Sequence, residues 1–105
     1  MREDSATSAV LDALRSFVLS EQGRFPIREA WLFGSWAAGT AREDSDIDLG
    51  IVLDRKVEYE DEVEIFSDAQ RRDWKIETHV IGRDDFDRGR RAIIHEIKTK
   101  GIRIA

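Results

Sequence analysis

Residues 32–53 read LFGSWAAGTAREDSDIDLGIVL, and the rest of the chain is best read outward from them. The apolar run Glu29-Ala30-Trp31-Leu32-Phe33 predicts a short strand that runs straight into Gly34-Ser35. Small and polar residues follow over 36–45 and turn acidic. Asp46-Ile47-Asp48-Leu49-Gly50-Ile51-Val52-Leu53 then predicts a second strand. Ile47, Leu49 and Ile51 share one face of it, and Asp46 and Asp48 share the other.

Gly34 lets the backbone turn sharply at a strand end and lets a ligand approach closely. Ser35 offers a hydroxyl and a backbone N–H at the same place. A helix beginning after it would aim free N–H groups into the turn, which favours phosphate. Gly39 permits a second close approach. The turn is not a Walker A loop, because G-x-x-x-x-G-K-[ST] and its Lys are absent. A lone Gly-Ser is usually only a turn, so the two acids carry the argument further. Carboxylates at i and i+2 on a strand point the same way and repel unless a cation lies between them. Hard oxygen ligands so placed suit Mg²⁺, which binds one or two carboxylates together with substrate phosphates. An EF-hand opening at Asp44-x-Asp46-x-Asp48 fails, since its sixth position is Leu49 instead of Gly and its twelfth is Arg55 instead of Glu. An isolated Asp-x-Asp would be read as the solvent face of an edge strand. A phosphate-cradling turn ten residues before a metal-binding pair is instead what nucleotidyl transfer requires.

The flanks complete an alternation of helix and strand. Residues 6–20 predict a helix with Val10, Leu14, Phe17 and Val18 at helical spacing and Ser5 as N-cap. Gly23 and Pro26 break it. Residues 57–72 predict an acidic helix with Tyr59, Val63 and Phe66 on one face. Residues 74–81 predict a third strand, with Trp74, Ile76 and Val80 on one face and Glu77 and His79 on the other. Residues 87–99 predict a last helix with Ile93, Ile94 and Ile97 inward, Gly101 as its C-cap and Ile102-Arg103-Ile104 as a short edge strand. Trp31 and Trp74 are expected in the core, and Trp36 is expected to pack beside the turn. The expected fold is α+β (α/β): a small mixed sheet with helices packed against it, one domain over residues 1–105.

Composition limits the alternatives. The 105 residues are 41% hydrophobic and 37% charged, enough for a small core and too apolar for wholesale disorder. No apolar run approaches a membrane span, and the charged start has no signal core behind it, so a cytoplasmic setting is expected. The absence of Cys excludes a disulfide framework, a Cys-based zinc site and a thiol nucleophile. A net charge of −5 argues against a dedicated nucleic-acid binder. The balance is uneven: residues 1–81 sum to −8 and residues 82–105 to +3. The basic tail could meet phosphates or an acidic partner, although a solvated helix face is the simpler reading.

GSWAAGTAREDSDID resembles the G-S-(x)₁₀-D-x-D signature of the DNA polymerase beta-like nucleotidyltransferase superfamily, and most of all its minimal nucleotidyltransferase (MNT) branch. The resemblance makes Gly34 and Ser35 the phosphate-binding turn and Asp46 and Asp48 the metal ligands. Gly39, by its close approach, and Arg42, by its charge, are further candidates for the nucleotide site. The family's third carboxylate, a metal ligand and general base on a later strand, has its best counterpart in Glu77 of Ile76-Glu77-Thr78. His79 shares that face as a substitute base or a half-exposed bystander, and His95 is expected at the surface. Many minimal members read G-S-x-A-R-G, and Ala38 stands here where they carry Arg; Arg42 could supply a positive charge instead.

What the resemblance implies is transfer of NMP, first of all AMP from ATP, to a hydroxyl with two Mg²⁺ ions. Minimal members pair with HEPN-domain toxins, so the implied role is that of an antitoxin that adds AMP to a Tyr, Ser or Thr of its partner. One alternative is a partner-binding module of the same fold without catalysis. Another is a catalytic subunit that modifies a small molecule held by a separate subunit. The acidic segment 58–64 is a candidate contact for a basic partner.

Overall fold

A computed structural model describes residues 5–105. The elements in chain order are α1 (Ser5–Gln22), β1 (Ile27–Phe33), α2 (Ser35–Ala38), β2 (Ile47–Leu53), α3 (Tyr59–Arg72), β3 (Ile76–Gly82), α4 (Arg83–Arg88), α5 (Ala92–Lys100) and β4 (Ile102–Arg103). The four strands form one mixed sheet in the order β3-β2-β1-β4. β1 pairs antiparallel with β2 and β4, whereas β2 and β3 run parallel with α3 as the crossover. The side chain of Ser5, the expected cap of α1, falls outside the described residues. No helix among the described residues is long and apolar enough to cross a membrane.

Alternation along β2 sorts its side chains between two cores. Ile47, Leu49, Ile51 and Leu53 face α1 and α3, where they pack with Leu11, Leu14, Phe17 and Ile65. Val52 faces the other way and packs with Phe33, Ile81, Phe86, Ile94 and Ile97 under α4 and α5. Gly50 lies on this second face, and a Cβ there would sit 3.0 Å from Ile97 Cδ1. The helices cover that face as far as Gly50 and leave the Asp48 end open.

Two expectations are corrected. The stretch 87–99 is not one helix: Gly89, at φ +62°, ends α4, and its N–H donates to the Asp85 and Phe86 carbonyls before α5 begins. Trp74 precedes β3 and is 69% exposed, so it is no core residue. Tyr59, Val63 and Phe66 do share one face of α3, the exposed one, and the inward face is Asp61, Ile65 and Ala69. The inward turn of Asp61 has a polar cause. Its carboxylate accepts from the Glu58 N–H at 2.8 Å in a capping box and takes both Arg55 nitrogens, at 2.6 and 3.0 Å. Arg55 holds the Asp61 carboxyl below its usual range. The α1–α3 contact buries Glu21, whose Oε1 has no hydrogen-bond partner among the described residues. Burial and the neighbouring Asp68 carboxylate push Glu21 up to about 7.

Candidate functional site

The site forms where β1 ends and the open ends of β2 and β3 lie side by side. The β1–β2 register sets Phe33 opposite Asp48, so Gly34 follows immediately beyond that rung. Gly34 adopts φ +74°, ψ −153°, a region open essentially to glycine alone. A Cβ at this position would lie 2.2 Å from Asp48 Oδ2 and 3.1 Å from Asp48 Cγ. The glycine is therefore required twice, by its dihedrals and by the carboxylate packed against it.

Ser35 then opens α2, a single turn. The Ala38 N–H donates to the Gly34 carbonyl, and the Thr40 N–H donates to the Ser35 carbonyl, both at 3.0 Å. Gly39 closes the turn in the left-handed region at φ +80°. Trp36 is half-buried as expected: it packs on the α1 side, and its Nε1 donates to the Ser45 carbonyl at 3.3 Å. The loop is pinned again where the Arg42 N–H donates to Ser45 Oγ at 2.8 Å. The Arg42 side chain is exposed and shares a cavity with Trp36 and Ile47, on the α1 side of the sheet.

The β2–β3 register supplies the third acid. Asp48 stands opposite Glu77 and Gly50 opposite His79. Asp48, Glu77 and His79 each offer a ligand atom, and the three atoms lie within 4.8 Å of one another. His79 Nε2 is 3.2 Å from Asp48 Oδ1 and 3.9 Å from Glu77 Oε1. Phe33 backs the imidazole edge-on, with ring centroids 5.0 Å apart. The side chains of Asp48 and His79 are 24% and 22% exposed, and Glu77 is 52% exposed. The cluster is thus walled on the Phe33 side and reachable from solvent on the Glu77 side.

Asp46, one residue before β2, is exposed and outside this three-atom group. Sequence reasoning left His79 between base and bystander, yet it contacts Asp48 directly. The signal was the repeat of i, i+2 spacing, since Glu77-x-His79 lies one strand over from Asp46-x-Asp48. His95 is exposed, as expected.

Several acids elsewhere meet arginines: Asp61 with Arg55, Asp87 with Arg28, Asp68 with Arg24 and Arg71, and Asp54 with Arg83. Arg28 holds the Asp87 carboxyl below its usual range. Among the described residues, no Lys or Arg forms an ion pair with Asp46, Asp48 or Glu77, and His79 is the basic neighbour they have. Two carboxylates and an imidazole nitrogen this close form a donor set that fits a divalent cation. The space left by the missing Cβ of Gly34 keeps Asp48 in position for it.

Comparison with known proteins follows the same line. No curated protein matches the chain in sequence. Among solved structures, it is similar to a protein from Sulfolobus solfataricus classed by inference as a nucleotidyltransferase. The TM-score is 0.67 at 21% identity, over 97% of this chain and 87% of that one. It is also similar to a chain of a toxin–antitoxin structure with AMP-PNP, at TM-score 0.64 and 16% identity, covering 90% of this chain and 73% of the other. A mutant of the toxin–antitoxin MntA-HpeT gives TM-score 0.58 at 14% identity, covering 94% and 72%. These likenesses establish the mixed-sheet nucleotidyltransferase fold. The sequence profile of the polymerase beta nucleotidyltransferases matches residues 18–105, which hold the glycine turn, both strand acids and Glu77, and the chain belongs to that family.

Proposed function

We propose that this chain is a Mg²⁺-dependent nucleotidyltransferase that moves the NMP of an NTP, AMP from ATP in the first instance, to a hydroxyl of a partner protein. In this reading the partner is a HEPN-type toxin, and the chain is its cytoplasmic antitoxin. The observation that carries the reading is the seating of the Asp48 carboxylate against Gly34, directly opposite Glu77. The toxin–antitoxin descriptions of two structural neighbours, one with AMP-PNP, support the choice of partner and nucleotide.

Asp46, Asp48 and Glu77 would hold two cations, which when bound neutralise the triphosphate and the departing pyrophosphate. Gly34 leaves the turn open to the phosphates. Ser35 directs its hydroxyl and N–H at their oxygens and Gly39 closes the turn beside them, while Arg42, on the α1 side of the sheet, lies away from the Asp48 face. The acceptor oxygen forms a bond to the α-phosphorus while the bond from that phosphorus to the β-phosphate oxygen breaks, releasing pyrophosphate. Glu77, the most exposed of the clustered groups, takes the acceptor's proton.

The test is label transfer from α-labelled ATP with Mg²⁺ and host lysate, beside an Asp46→Asn/Asp48→Asn control. One protein band labelled only by the wild type supports the reading. Transfer unchanged in the double variant would place the chemistry elsewhere. Nucleotide binding absent from the wild type would favour the non-catalytic partner-binding module, for which the exposed Tyr59, Val63 and Phe66 face speaks independently.

A further inference from the structure

β3 is an edge strand, and its free edge begins beside the site. The Ile47 N–H donates to the Lys75 carbonyl at 2.8 Å, which fixes the phase of the parallel ladder. In that phase Glu77, His79 and Ile81 turn their backbone groups to β2, and Ile76, Thr78 and Val80 turn theirs outward. The Gln70 side chain donates to the Ile76 carbonyl at 2.7 Å, as this phase requires. No hydrogen bond occupies the outward groups of Thr78 and Val80 among the described residues.

The same two residues line a groove of about 330 Å³ with Val63 and Phe66 of α3 on one side and His79 and Arg91 on the other. Val63 and Phe66 are 43% and 46% exposed. Through Val80, Glu62 and Arg91 the groove continues into a cavity of about 430 Å³ lined by six basic and three acidic residues. Three of those basic residues, Lys56, Arg88 and Arg91, pair with no carboxylate among the described residues. The groove thus begins at His79, the imidazole of the metal-ligand cluster, runs along free backbone rungs past an apolar wall, and ends in excess positive charge.

We infer that the β3 edge, Thr78 to Val80, receives an extended segment of the partner protein as an added strand, and that this segment carries the acceptor hydroxyl. The inference rests on the transferase reading above and specifies its substrate. An added strand lies about 4.8 Å from β3, with side chains alternating between faces. A Tyr, Ser or Thr level with Glu77 or His79 projects onto the Asp48 face. Its chain neighbours then point to the other face, where Val63 and Phe66 receive apolar side chains. Acidic residues farther along meet Arg91 and the basic cavity. The occupant is therefore an apolar–hydroxyl–apolar segment flanked by acidic residues. A second copy of this chain, at net charge −5, suits the apolar wall but gives no specific match to the basic end.

Amide hydrogen exchange on the full chain, with Mg²⁺ and a non-hydrolysable ATP analogue, tests this. The probe is a short synthetic peptide alternating valine with threonine around one tyrosine, with glutamates at either end in two versions; a lysine-ended peptide is the control. Slowed exchange at Thr78 and Val80 is expected, with roughly tenfold tighter binding of a glutamate-ended version than of the control. Thr78→Pro removes an outward N–H that β2 does not use, and Phe66→Asp places a charge at an exposed site. Both should lose the peptide and keep metal-dependent nucleotide binding. Unprotected β3 amides with either acidic peptide, or peptide binding unchanged in both variants, would overturn the inference. Protection that grows with chain concentration alone would overturn it in favour of a second copy. Failure of the transferase reading is separately visible, as loss of nucleotide binding from the wild type.

Discussion

Gly34→Ala tests the construction of the site. The new methyl carbon would start 2.2 Å from Asp48 Oδ2, about 0.8 Å inside the shortest separation such atoms tolerate. Backbone at φ +74°, ψ −153° adds about 1–3 kcal/mol for any residue with a Cβ. The carboxylate is the movable part, so Asp48 must swing away from the turn and give up its 3.2 Å approach to His79. A loss of about 2–3 kcal/mol is expected, which for a domain of this size lowers Tm by roughly 10 °C or more. Transfer should fall by about 10²-fold or more, because a positioned carboxylate is displaced by about an ångström. Urea titration with circular dichroism gives the first quantity, and label transfer gives the second. Gly39→Ala isolates the backbone contribution: its φ is also positive, at +80°, but its Cβ would meet nothing within 4 Å. That variant should lose about 1 kcal/mol. Equal stability losses in the two variants, with Gly34→Ala still transferring label at the wild-type rate, would refute the argument that Gly34 exists to seat Asp48.

Other consequences are as direct. Asp48→Asn should abolish measurable Mg²⁺-dependent nucleotide binding by calorimetry, a fall of about 10²-fold or more, and chelation of wild-type protein should do the same. Glu77→Gln should lower the single-turnover rate far more than nucleotide affinity, as loss of a base does, and Glu77→Asp should recover part of the rate. Glu21 is raised to about 7 from an ordinary 4.5, so the folded state holds an extra proton between those values. Its contribution is fully present below pH 4.5 and is lost as pH rises through about 7. Glu21→Gln should flatten that slope in urea titrations and stabilise the chain at pH 8 by on the order of 2–3 kcal/mol. Asp61→Ala opens the capping box and strands Arg55, so unfolding should become easier by about 2 kcal/mol. Since Arg55 lowers the Asp61 carboxyl, that contribution is present above pH 3.8 in the wild type and disappears as acid titrates the folded group.

The elements nearest the site were the easiest to read. β2 alternates strictly from Ile47 to Ile51, and period two with one apolar face has a single solution in a two-layer fold. The glycine turn was legible because Gly and Ser between two apolar runs leave the chain few other conformations. The errors fall where another force competed with hydrophobic pattern. The Tyr59, Val63 and Phe66 stripe does not say which face of α3 is buried, and the core side goes to Ile65 and Ala69, with Asp61 drawn in by Arg55 and the helix start. Trp74 lies two residues before the ladder, and only pairing with β2 defines where that ladder begins. The break at Gly89 is a local backbone event that the apolar spacing of Ile93, Ile94 and Ile97 masked. The contact of His79 with Asp48 depends on the register of two strands separated by a helix, which no local pattern encodes.

Costs that a stable fold would avoid meet at one end of this sheet. Asp48 and Glu77 are like charges on facing positions of neighbouring strands, an arrangement that destabilises a ladder. Gly34 occupies backbone that other residues cannot share. Gly50, in the middle of β2, gives up side-chain packing so that Ile97 can close over the second face. Each has a cheaper local alternative, and the chain uses such alternatives elsewhere by setting an arginine against an acid. The sequence agrees with its fold along β2 and through both cores, and apart from the buried Glu21 of α1 the exceptions gather toward the open ends of β2 and β3. Among the described residues no Lys or Arg pairs with these carboxylates to relieve the repulsion. A cation bound between carboxylates, with phosphate approaching over a side-chain-free turn, removes the repulsion and uses the space in a single step.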